Sequence, residues 1–172
     1  VSVWAKAAER SALNIVVWDL GANGVRCNFN LSTGAVGTPT NFGTGTLGAA
    51  TSKSYPNGWW LCTLTGNIGS AVTASDIDLR MQNPLGTDSY QGDSSSGLFI
   101  WGAQLEEATF ASTYIPTTTA AVTRNADVLT YPFAGNASAT VGSIYAEVST
   151  EWSAAVTASM LLVAFSSAAN RT

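Results

Sequence analysis

The residues of this sequence with chemistry to offer are a few aromatic side chains and two aspartates. Trp18 closes the apolar run Leu13-Asn14-Ile15-Val16-Val17-Trp18, and Tyr55 and Trp59 flank Pro56-Asn57-Gly58. An exposed ring is a stacking platform for a sugar, which presents an apolar C–H face and a rim of hydroxyls. The competing role for all three is packing, in a core or against a second subunit, and that is the commoner fate of Trp and Tyr. Trp59 and Trp60 are adjacent in an extended pattern, so one of them faces away from the core. Asp88 and Asp93 stand in a Gly/Ser-rich stretch whose carbonyls and carboxylates together could supply the several oxygens that Ca²⁺ requires. The alternative, a solvated loop in which Asp93 caps its own turn, is the preferred reading of that stretch.

Catalysis has little to work with. The chain contains no His, which removes the usual general base and the commonest metal ligand. Glu106 and Glu107 are neighbours and point to opposite faces of a strand, so they cannot act as a pair on one bond. Asp76 and Asp78 share a strand face, but a solvated edge explains them. No Gly-x-Ser-x-Gly, Cys–His pair or phosphate-cradling loop is present. The expectation is a protein that is not an enzyme, with no catalytic residues and no cofactor beyond a structural calcium.

Composition explains which elements must position these groups. Only 10% of residues are charged, and six Trp and 16 Gly stand among abundant Ser, Thr and Ala. Helical proteins need Glu and Lys on their outer faces, whereas strands take β-branched and aromatic residues and turns take Gly, Asn and Ser. The net charge of −4 gives no footing for nucleic acid or an anionic membrane. The uncharged stretch from Trp152 to Asn170 holds only a short apolar cluster, Met160 to Phe165, and reads as a core strand rather than a membrane span.

Strands are expected at Val1–Lys6, Leu13–Leu20, Val25–Leu31, Leu47–Tyr55, Trp59–Thr65, Ile77–Gln82 and around Phe99–Trp101, with a loop or short edge strand between Gly37 and Thr46. Asn57-Gly58 marks the tightest hairpin turn. Val25, Cys27, Phe29 and Leu31 share one face, as do Trp60, Cys62 and Leu64, so both cysteines point inward as buried free thiols. A disulfide would need their strands to be neighbours, which the sequence does not show. The fold class is all-β, an antiparallel β-sandwich of jelly-roll type spanning 1–115. A connector follows at 116–127, and 128–172 reads as the start of a second sandwich, too few strands to close a core alone. The chain opens in mid-strand, so the opening strands of the first sandwich are expected upstream.

The string from Gly97 to Val128, GLFIWGAQLEEATFASTYIPTTTAAVTRNADV, resembles the closing segment of a β-sandwich recurrent in bacteriophage and prophage virion proteins. VSVWAKAAER, FNLSTG and NGWWLCTLT resemble its inner strands in the same order. The resemblance covers about residues 1–127. It implies a galactose-binding-like, carbohydrate-binding-module-like jelly roll followed by a concanavalin A-like (laminin-G-like) domain. It further implies a structural part of a virion appendage (tail fibre, spike or capsid decoration), homotrimeric, in contact with other virion proteins and with host-surface polysaccharide. The alternative is a carbohydrate-binding module accessory to a polysaccharide-degrading enzyme.

Overall fold

A computed structural model describes residues 1–69, 74–83 and 86–125. The chain divides into two compact units, Val1–Val122 and Thr123–Thr172, and the description concerns the first. The second sandwich expected from 128 onward, the last residues of the connector, and the stretch Trp152–Asn170 lie outside the described residues.

Among the described residues, eight strands follow in chain order: β1 (Ser2–Ala7), β2 (Ala12–Trp18), β3 (Gly24–Asn30), β4 (Thr40–Phe42), β5 (Thr46–Tyr55), β6 (Trp59–Asn67), β7 (Asp76–Met81) and β8 (Leu98–Gln104). They form two four-stranded sheets, a front sheet in the order β5-β6-β1-β8 and a back sheet in the order β4-β3-β2-β7, with every pairing antiparallel. The first and last strands pair in the front sheet, and the second and seventh in the back sheet, as a rolled-up chain requires. The run β2-β3-β4 is a plain meander. The protein is an antiparallel β-sandwich.

Period-2 patterning accounts for the core. Val3, Ala5, Cys62 and Leu64 face inward from the front sheet, and Leu13, Ile15, Val17, Val25, Cys27 and Phe29 from the back sheet, all buried. The two cysteines therefore sit in opposite sheets, and both are free thiols. Burial, and then the neighbouring Cys27, pushes the Cys62 thiol up to about 12; burial also raises Cys27, whose Sγ–H donates to the Gly37 carbonyl at 3.3 Å. Neither is a nucleophile at neutral pH.

Two local devices set the registers around the front sheet. At Pro56-Asn57-Gly58, Asn57 and Gly58 both take positive φ (62° and 77°), the backbone that Asn-Gly adopts at least cost, and Tyr55 pairs with Trp59 across the turn. Gly34, at φ 75°, lies flat beneath the Trp60 ring, which a Cβ would strike. Ser52 Oγ donates to the Gly34 carbonyl and fixes that approach. The stretch from Gly37 to Thr46 contains the short edge strand β4, held to β3 by three residue pairs.

Candidate functional site

The outer face of the front sheet carries the functional candidate. Strand registers align its outward residues into two cross-strand rows, each spanning all four strands. One row runs Tyr55, Trp59, Lys6, Phe99 from β5 to β8; the next runs Lys53, Leu61, Trp4, Trp101. A third row, Thr51, Thr63, Ser2 and Gln104, is polar, and the Thr51 and Thr63 hydroxyls lie 2.6 Å apart. Aromatic rings thus abut a line of hydroxyl and amide groups.

The rings are mutually braced. Trp4 meets Tyr55 edge-on with centroids 4.3 Å apart and Trp101 at 6.3 Å, and Trp101 meets Tyr114 at 4.9 Å. Trp4, Tyr55, Pro56, Trp59 and Trp101 line a groove of about 320 Å³, at the small end of binding-site volumes, which span roughly 300–1,000 Å³. Trp101 remains 55% exposed, so its face is offered rather than buried.

A β-bulge places Trp101. Between Trp4 and Ser2 on β1 there is one intervening residue, whereas β8 needs two between Trp101 and Gln104. Gly102 absorbs the excess at φ 61°. Downstream, Ile115 N–H donates to Gln104 Oε1 at 2.8 Å, and Ser112 donates to Glu106 through N–H (2.9 Å) and Oγ–H (2.6 Å). Burial alone would raise the Glu106 pKa; the Ser112 and Gln104 hydrogen bonds outweigh it and hold the carboxyl below its ordinary range. These contacts lean Tyr114 onto Trp101.

Of the three aromatic candidates read from the sequence, Tyr55 and Trp59 meet in this groove, while Trp18 does not. Trp18 belongs to the back sheet, opposite Gly24 and Asp76, and its indole N–H is buried without an acceptor among the described residues. Trp4 and Trp101 were missed as platform residues. The available signal was parity: Trp4 alternates with the buried Val3 and Ala5, which sends it outward.

Asp88 and Asp93 serve separate partners. Asp88 accepts from Asn14 Nδ2 (3.2 and 3.3 Å), Arg80 Nη1 (3.2 Å) and Gln82 Nε2 (2.7 Å), which ties the segment after β7 over the back sheet. Burial pushes its pKa up, and the donors from Gln82, Asn14 and Arg80 together bring it below the ordinary value. Asp93 accepts from Ser96 Oγ and N–H, from Ser95 N–H and from Arg10, which hold its carboxyl far below the usual range. That is the capped turn expected from the sequence. Among the described residues, no three His, Cys, Asp or Glu side chains gather as a metal-ligand set. Asp78 pairs with Arg80 at 2.6 Å, and Asp76 accepts from the N–H of Ile77.

Comparison with protein-family models and with curated proteins finds no match for this chain.

Proposed function

We propose that this chain is a non-enzymatic structural component of a phage-type virion appendage, a tail fibre, spike or capsid decoration, whose front sheet docks a host-surface glycan. The observation that carries the binding role is the groove of Trp4, Tyr55, Trp59 and Trp101 beside the paired hydroxyls of Thr51 and Thr63. Pyranose C–H faces stack on such rings while hydroxyls bond to the polar row. The virion setting is supported by the resemblance of Gly97–Val128 to the closing segment of phage appendage sandwiches. A module accessory to a polysaccharide-degrading enzyme would use the same face, and the genes flanking this one separate the two settings.

A glycan array is the direct test. Binding is expected to fall about tenfold in Trp59→Ala, the loss of one stacking ring, and to be unchanged in Trp18→Ala. Equal loss in both variants, or no glycan bound by the intact protein, removes the reading.

The appendage reading also predicts self-association, as a homotrimer. Outside the groove, Ile100, Leu105, Phe110 and Val122 are exposed within one short stretch, more apolar exposure than a solvated strand edge needs. Light scattering on the intact protein should give three times the chain mass. A monomer at micromolar concentration would sink this part and leave the glycan face standing.

A further inference from the structure

We infer that the front-sheet groove is built for an acidic glycan, one carrying carboxylates at its ring edges, rather than a neutral one. This rests on the glycan reading above and names the ligand class for the same face. The chain contains only two lysines, Lys6 and Lys53, and both stand on this face. Each aromatic row holds one of them. Lys6 lies between Trp59 and Phe99, and Lys53 leads the row of Leu61, Trp4 and Trp101, its ammonium 5.8 Å from the Tyr55 centroid. None of the eight residues in the two rows is Asp or Glu, although the protein as a whole has 11 acidic residues against seven basic. An acidic protein that places both of its lysines in the aromatic rows of one face is complementary there to an anion.

The chemistry is specific to this ligand class. A uronic or other acidic sugar offers an apolar C–H face and, at the ring edge, a carboxylate. The first row answers with a ring and, one strand away, the Lys6 ammonium; Lys53 stands beside the Tyr55 ring. Phosphate recognition by paired backbone amides or an Arg fork would look different. A lysine pairs as a mobile point charge, which suits a carboxylate whose position varies along a polymer.

The test uses polygalacturonate and its fully methyl-esterified form, which share a backbone and differ in charge, together with an array of acidic and neutral glycans. The intact protein should prefer the acidic members, and the preference should shrink as salt rises from about 20 to about 300 mM, which shortens the screening length severalfold. The double variant Lys6→Gln, Lys53→Gln should lose about tenfold in affinity for the acidic glycans and nothing for the neutral ones. Its melting temperature serves as the folding control. Neutral glycans bound as tightly as acidic ones, with no effect of the lysine substitutions, would overturn the charge inference and leave the aromatic face intact. No glycan of either kind bound would overturn both.

Discussion

Asp88→Ala is expected to destabilise the sandwich by about 3 kcal/mol, a drop in melting temperature on the order of 10 °C. The carboxylate gathers donors from two strands and the segment after β7: Asn14 on β2, Arg80 on β7, and Gln82 just beyond it. Asn14 and Gln82 are 3% and 4% exposed, so truncation strands the Asn14 amide where water does not reach and leaves Gln82 only its bond to the Gly86 carbonyl. Asn14 Oδ1 already lacks a donor among the described residues, so the Asp88 carboxylate is what satisfies that buried amide. Asp88→Asn keeps the shape and one acceptor and should cost about half as much. The same cluster sets an acid limit. Because the folded-state pKa is depressed, the stabilisation is fully present above the unfolded value near 3.8 and is lost as pH falls through the folded pKa. Acid titration of unfolding by circular dichroism should therefore show a shallower loss below pH of about 4 in Asp88→Asn than in the parent. An unchanged melting temperature in Asp88→Ala would show that the segment after β7 is not anchored this way.

Trp4→Ala is expected to reduce glycan affinity on the order of 100-fold, about 2.7 kcal/mol. Trp4 is the hub of the platform, since it touches Tyr55 on one side and Trp101 on the other and lines the groove itself. Its removal takes away a stacking surface and also frees two neighbouring rings, so ordering them on binding becomes an added cost. Trp4→Phe restores part of the surface and the edge contacts and should recover about half of the lost free energy. Titration calorimetry on the tightest array binder measures both. An affinity within twofold of the parent for Trp4→Ala would place the ligand elsewhere.

Most of the sandwich was legible because alternation is a local property. The faces of Val25–Leu31 and Trp60–Leu64 follow from period 2 alone, and the Asn57-Gly58 turn follows from the backbone that these two residues tolerate. The platform was only half legible. Tyr55 and Trp59 sit on either side of one turn, so their meeting is written in five consecutive residues. Trp4 and Trp101 meet across 97 positions, through a pairing of first with last strand that no local pattern specifies. The bulge at Gly102 compounds this, because it shifts the parity of β8 in mid-strand. Trp18 shares the outward parity of Asn14 and Val16, but on the back sheet, and which sheet a strand joins is not written in its own alternation.

The cross-strand rows carry a consequence for folding itself. Each ring of the groove comes from a different strand, or from the far side of a turn, and a slip of one residue in any strand would turn its aromatic into the core. A ligand laid along the rows would therefore bind only the correctly threaded sheet and act as a lock on its alignment. At a free concentration of about 100 times its Kd, it would add about 2.7 kcal/mol to the unfolding free energy. On the proposed glycan reading, occupancy of the groove and equilibrium stability of the sheet would then be coupled.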